Sequence, residues 1–163
     1  MPDKTRANGR IDHIAIAVKS LDDALVLYRD TFGFEVINER EINGLYSGMK
    51  SVELHAGDFY IVLIEGTSPE SQVSRYVEQY GPGVQHIAIQ VEDVARMATQ
   101  LNKVGVKFAT DIIRGSGLMQ IFTRRDSNSG MMFEFITRID ETAGFEEGNI
   151  QKLFNQLEAS DNF

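Results

Sequence analysis

Hydrophobic positions along the chain fall into stretches with a period near two residues and others with a period near 3.6, and the order of these stretches repeats. The segment His13-Ile-Ala-Ile-Ala-Val18 returns as His86-Ile-Ala-Ile-Gln-Val91, five of six residues identical, at an offset of 73 (86 − 13). Each copy reads as a strand running into a helix. Leu21, Ala24, Leu25, Leu27 and Tyr28 give the first helical pattern, and Val94, Met97, Ala98 and Leu101 the second. Asp22 and Asp93 stand near the two helix starts, where a carboxylate suits the positive end of the helix dipole. Glycine marks a stop in both copies, at Gly33 and Gly105, and the offset has become 72 (105 − 33).

Three strand-like stretches follow in each half, roughly 34–42, 46–55 and 59–65 in the first and 106–112, 117–124 and 131–138 in the second. Ala56-Gly57-Asp58 and the segment from Asp126 to Gly130 read as hairpin loops. Each half therefore predicts β-α-β-β-β, an α+β class. One domain is expected over 10–160, with module one at 10–66, a connecting helix at 69–80 and module two at 83–139. A C-terminal helix over 148–159 places Ile150, Leu153, Phe154 and Leu157 on one side.

Composition narrows the chemistry. The 163 residues suffice for one ordinary core, and 42% hydrophobic with 25% charged residues is the balance of a water-soluble globular chain. No apolar run approaches the roughly 20 residues of a membrane span. The polar N-terminus lacks the apolar core of a secretory signal, so a cytoplasmic location is expected. There is no cysteine, which removes thiolate nucleophiles, disulfides and iron–sulfur clusters and leaves nitrogen and oxygen to hold any metal. A net charge of −8 opposes nucleic acid and anionic lipid, so a small-molecule partner is expected.

Two tandem βαβββ modules resemble the vicinal-oxygen-chelate fold. The resemblance implies curled mixed sheets about a pseudo-twofold axis, with a metal in the groove held from the first and last strand of each module. Four positions then matter. His13 and His86 lie on the two first strands, and Glu134 lies on the last strand of module two, facing the same way as Met132 and Ile136. The offset of 72 places Val62 at the fourth position, and valine cannot ligate. Glu65, three residues on, belongs to the opposite face. Two histidines and one carboxylate with positions left open make the facial triad of non-haem Fe(II) oxygenases, so Fe(II), or another divalent metal, is implied. A single histidine on a strand is ordinarily a satisfied core residue, and a buried glutamate ordinarily pairs with arginine, for which Arg40 and Arg138 are available. His55, outside the repeat positions, reads as surface.

Within this fold the chain resembles the catalytic half of the 4-hydroxyphenylpyruvate dioxygenase and hydroxymandelate synthase family over about residues 10–158. The motifs are Tyr80-Gly-Pro-Gly-Val-Gln-His-Ile-Ala-Ile89, Leu118-Met-Gln-Ile-Phe-Thr123, Phe133-Glu-Phe-Ile-Thr-Arg138 and Gly144-Phe-Glu-Glu-Gly-Asn149, with Ile11-Asp-His-Ile14 and Phe32-Gly-Phe34 in the first half. The resemblance implies a dioxygenase that takes a 2-oxo acid and O2 on Fe(II), with His13, His86 and Glu134 as catalytic metal ligands. It further implies Ser51, Gln85 and Gln120 as polar pocket residues, Phe122 and Phe145 as apolar walls, and the C-terminal helix as a lid. The family's enzymes are about twice as long. An Asn-Glu-Pro stretch of the family is Ile64-Glu65-Gly66 here, and the loop between Ile112 and Leu118 is shorter. A 2-oxo acid other than 4-hydroxyphenylpyruvate is compatible with these departures. Two further classes stay open, a glyoxalase- or epimerase-type lyase or isomerase and a bleomycin-resistance-type binding protein. Exposed sheet edges suggest a homodimer.

Overall fold

The two copies of the repeated segment lie side by side. In the computed structural model, which describes residues 9–45, 47–115, 117–139 and 147–160, they form β1 (Ile11–Ala17) and β5 (Gly83–Gln90), paired antiparallel. Module one continues as β2 (Glu35–Asn43), β3 (Gly48–His55) and β4 (Tyr60–Gly66), and module two as β6 (Ile113–Arg114), β7 (Leu118–Phe122) and β8 (Phe133–Arg138). The curled mixed sheet runs β2-β3-β4-β1-β5-β8-β7-β6, with β1 parallel to β4 and β5 parallel to β8. Ile14 faces Ile87 across the central pair. These two are repeat equivalents, so the pseudo-twofold axis passes between them.

The axis relates residue rows. Glu53, Val62, Ala15 and His86 are successive neighbours across β3, β4, β1 and β5, and Phe122, Glu134, Ala88 and His13 across β7, β8, β5 and β1. In the next row out, Arg40, Ser51 and Ile64 of module one answer to Ile113, Gln120 and Ile136 of module two. Cross-strand neighbours share a face, so every residue of a row looks the same way.

One face carries helices α1 (Leu21–Leu25) and α3 (Val94–Lys103). Ser20 caps α1 by accepting from the Asp23 N–H at 3.2 Å, and Asp93 caps α3 by accepting from the Arg96 N–H at 3.0 Å. Leu21 and Leu25 pack on Val52, Leu54, Ile61 and Leu63, while Val94 and Met97 pack on Ile121 and Phe135. The first helix widens into a π-helical segment, Val26–Thr31, where Thr31 Oγ1 donates back to the Val26 carbonyl.

The other face is concave and carries α2 (Gln72–Tyr80) and α4 (Glu147–Ser160). Ile150, Phe154 and Leu157 of α4 are buried, and Ile150 and Phe154 join Ala17, Ile42, Met49, Ile64, Val73 and Tyr76 in one cluster. The helix comes so close to the β2–β3 connection that a Cβ on Gly44 would run into the Phe154 ring.

Two expected boundaries shift. The connecting helix begins at Gln72 rather than near 69, because Ser71 supplies the cap, its Oγ accepting from the Val73 N–H at 3.3 Å. No continuous strand forms over 106–112. Phe108 makes an isolated bridge with Thr123, Thr110 Oγ1 takes the Phe122 N–H in place of a backbone carbonyl, and the paired strand resumes at Ile113. No helix among the described residues is long and apolar enough to cross a membrane.

Candidate metal centre

Register alone would put neighbouring residues 12 and 13 on opposite faces, yet both Asp12 and His13 are buried in one site. The cause is a bulge. Ile11 pairs with Ile89 and His13 with Ala88, so Asp12 is the extra residue; Ala15 pairs with His86 and Ile16 with Val84, so Gln85 is extra on the other strand. The two bulges are related by the pseudo-twofold axis, and each turns the preceding side chain toward its histidine. Asp12 Oδ2 lies 2.8 Å from His13 Nδ1, and Gln85 Oε1 meets His86 Nδ1. With Nδ1–H directed at these oxygens, the two Nε2 atoms point into the groove.

There the two Nε2 atoms are 3.3 Å apart, and Glu134 Oε2 lies 3.0 Å from that of His13 and 3.3 Å from that of His86. Donors held about 2.1 Å from one divalent cation stand about 3.0 to 3.4 Å from each other, so the three atoms already have the spacing of a shared cation. All three residues are buried, and together they could hold a metal ion. The alternative, an arginine paired with Glu134, is not found among the described contacts. Arg138 pairs with Asp12 at 2.7 Å and Arg40 with Glu53 at 3.2 Å, while Glu134 receives the Gln120 side-chain amide at 3.2 Å. Gln120 in turn accepts from Asn149 of α4 at 3.2 Å, which ties the C-terminal helix to the carboxylate.

Burial alone would lower the pKa of His13, but the Glu134 and Asp12 carboxylates outweigh it and raise it to about 9. Burial lowers that of His86, which has a neutral amide rather than a carboxylate at Nδ1 and His13 beside it. Burial opposes ionisation of Glu134 and Asp12, yet both are held below the usual carboxylate range, Glu134 by the two histidines and Asp12 by His13 and Arg138. This donor set, two imidazoles oriented from behind and one ionised carboxylate, fits a divalent ion that accepts nitrogen and oxygen.

The centre opens into a cavity of about 650 Å³, counting the solvent at its mouth. Ser51, Gln85 and Gln120 line it. Phe122 departs from the expectation: it is fully buried beneath the His86 ring, edge-on at 5.1 Å, in the ligand row one strand beyond Glu134. Phe145 lies outside the described residues. Val62 lines the cavity at the position Glu134 takes in the other module, and Glu65 instead accepts the Leu21 N–H at 3.1 Å on the helical face. His55 is exposed. Four residues of the site were not anticipated: Asp12, Glu53, Gln72 and Asn149. The Gln72 side-chain oxygen, on the cavity wall, is buried without a hydrogen-bond partner among the described residues. Adjacent polar pairs at equivalent repeat positions, Asp12-His13 and Gln85-His86, were the available signal for the bulges.

Paired βαβββ modules on one curled sheet, with histidines from the two central strands, define a vicinal-oxygen-chelate domain. The model of the Glyoxalase/Bleomycin resistance protein/Dioxygenase superfamily matches residues 10–135, and the chain belongs to that superfamily. It is 28% identical over 197 residues to a 4-hydroxyphenylpyruvate dioxygenase of Legionella pneumophila, covering 96% of this chain and 56% of that protein. A Pseudomonas aeruginosa protein of the same name is 28% identical over 185 residues, covering 91% and 51%. The chain thus spans about half the length of these curated relatives. Among solved structures, a 4-hydroxymandelate synthase variant from Streptomyces coelicolor superposes with a TM-score of 0.83 at 23% identity, covering 94% of this chain and 55% of that one. A methylmalonyl-CoA epimerase variant from the same organism gives 0.68 at 33% identity, covering 80% and 97%.

Proposed function

We propose that the protein is an Fe(II)-dependent dioxygenase acting on a 2-oxo acid. The observation that carries this reading is the asymmetry between pseudo-equivalent positions: Glu134 supplies a carboxylate in module two where Val62 supplies only methyl groups in module one. His13, His86 and Glu134 would hold the iron, and three protein donors leave positions for the two adjacent oxygens of a 2-oxo acid and for O2. Iron bound there would supply Lewis acidity and one-electron reactivity toward O2. Asp12 and Gln85 keep the imidazoles in the ligating tautomer, and Gln120 fixes the carboxylate. Ile150, Leu153, Phe154 and Leu157 of α4 form an apolar cover that excludes water from the groove. The dioxygenase relatives support the same reading.

The test is anaerobic loading with Fe(II), followed by O2 and a panel of 2-oxo acids. Oxygen uptake coupled to CO2 release is expected, and no uptake above the protein-free rate across aliphatic and aromatic acids would refute it.

The epimerase likeness favours a second reading, proton transfer beside a metal-polarised carbonyl. It requires a base on the concave face. Glu53 is a buried carboxylate there, but Arg40 engages it. Substrate-dependent deuterium uptake from D2O without O2 consumption would select this alternative.

A further inference from the structure

The pseudo-twofold axis permits a comparison of what each module places on the concave face. Where module two has Ile113 and Phe122, both essentially fully buried, module one has Arg40 and Glu53. The same chain therefore shows that an apolar pair satisfies these two register positions. Module one uses an ion pair instead, with the Arg40 side chain 14% and the Glu53 side chain 5% exposed and Nη1 to Oε2 at 3.2 Å. An ion pair taken out of water offers little or no stability over apolar residues of similar volume, because desolvation offsets the attraction. Burial indeed pushes the Glu53 carboxyl up despite the guanidinium beside it. Stability alone does not explain the exchange.

Position does. Arg40 lines the cavity that His13, His86 and Glu134 open into, and Glu53 stands behind it on β3, anchoring the guanidinium and sparing it the entropy of being ordered when a ligand arrives. The remaining wall on that side combines apolar Met49, Ile64 and Val73 with Ser51 and Gln72. A guanidinium is a planar fork of N–H donors that matches a carboxylate better than any neutral group, and the interaction strengthens in an apolar surround. Resting on the 2-oxo acid reading above, we propose that Arg40, set by Glu53, recognises a second carboxylate at the far end of the substrate. The substrate class is then a 2-oxo dicarboxylate. The α-carboxylate and keto oxygen go to the metal and the distal carboxylate to Arg40.

The full chain loaded with redox-inert Zn(II) tests this without turnover. Calorimetric titrations compare 2-oxoadipate with 2-oxohexanoate and 2-oxoglutarate with 2-oxopentanoate, pairs of equal chain length that differ in the terminal carboxylate. A diacid preference of at least about tenfold is expected for one pair, the gain of one charge-assisted contact. Arg40→Gln should bring that ratio close to one. Because this variant leaves Glu53 buried beside an amide, the double variant Arg40→Ile with Glu53→Phe, which transplants the apolar solution of module two, provides the second measurement, and its ratio should also be close to one. Equal affinities in the unmodified protein, or a preference that survives the double variant, would overturn the assignment of Arg40 while leaving the 2-oxo acid reading intact. Binding of neither class to the Zn(II)-loaded protein would overturn both.

Discussion

Metal uptake should release one proton, not two, and should strengthen about tenfold per pH unit between pH 7 and 9. Two ring nitrogens 3.3 Å apart beside a carboxylate cannot all be bare, and the proton resides on His13, whose pKa stands at about 9, whereas burial keeps His86 neutral near pH 7 and Glu134 is ionised. A ligating imidazole must be neutral. At pH 7 the two-unit gap on His13 therefore weakens metal binding about 100-fold, or about 3 kcal/mol, relative to a fully neutral imidazole. The opposite sign holds for folding. A histidine with a raised folded-state pKa contributes stability that is complete below its unfolded value of 6.5 and is lost as pH rises through about 9, so the metal-free protein should weaken by about 3 kcal/mol across that window. Calorimetric titration with Zn(II) in buffers of different ionisation enthalpy counts the protons, and thermal melts of metal-free protein from pH 6 to 9.5 follow the stability. Zero or two protons released at pH 7, or an affinity flat from pH 7 to 9, would refute the assignment of the proton.

Three other outcomes follow from contacts already described. Val62→Glu places a carboxylate at the pseudo-equivalent of Glu134, and it should retain bound metal by elemental analysis while O2 uptake falls at least about tenfold, the loss expected when a protein donor competes for an open position. Gln120→Leu removes the amide that holds Glu134 and links it to Asn149, so metal affinity measured against a chelator should fall about 10- to 100-fold. Phe154→Ala empties a fully buried site between α4 and the sheet and should cost about 3–5 kcal/mol in denaturant unfolding of the metal-free protein, with a loss under 1 kcal/mol counting against a packed helix.

Much of this architecture is legible in the chain because the repeat is strict where it matters. The offset between copies brought His13, His86 and Glu134 into equivalent classes and located Val62, and the strand register reproduces that equivalence row by row. What was not legible depends on the hydrogen-bond ladder. A bulge leaves no trace in hydrophobic period, so Asp12 would be assigned to the face opposite His13, although one inserted residue brings its carboxylate within 2.8 Å of the ring. Phe122 was misjudged for a different reason: its face was right, but depth along a row is set by how the sheet curls, and the His86 ring covers it. Arg40 lies on an edge strand whose alternation is weak, with most positions exposed, so nothing local marks it as lining a cavity. The π-helical widening after Leu25 and the interrupted edge strand near Phe108 were likewise decided by single side-chain hydroxyls, Thr31 and Thr110, competing for backbone partners.

Duplication also explains how one sheet can divide its labour. Two identical modules would present a twofold site with two equivalent pairs of ligands, and a symmetric site treats both halves of the groove alike. Here four differences break the symmetry along adjacent rows: Val62 against Glu134, Glu53 against Phe122, Ser51 against Gln120 and Arg40 against Ile113. Module two thereby concentrates its polar groups on the ligand carboxylate, through Gln120 and Asn149, and backs the His86 ring with an aromatic. Module one gives up a ligand and gains a cation two strands farther out. A metal held by His13, His86 and Glu134 would have its unligated side toward Val62 of module one, the module that also carries the guanidinium. On the reading proposed above, a substrate chelating there would extend over Val62 toward Arg40, and the valine at 62 and the charge at 40 would act as a single specificity device. Restoring symmetry at either position should therefore impair discrimination between substrates more than it impairs folding.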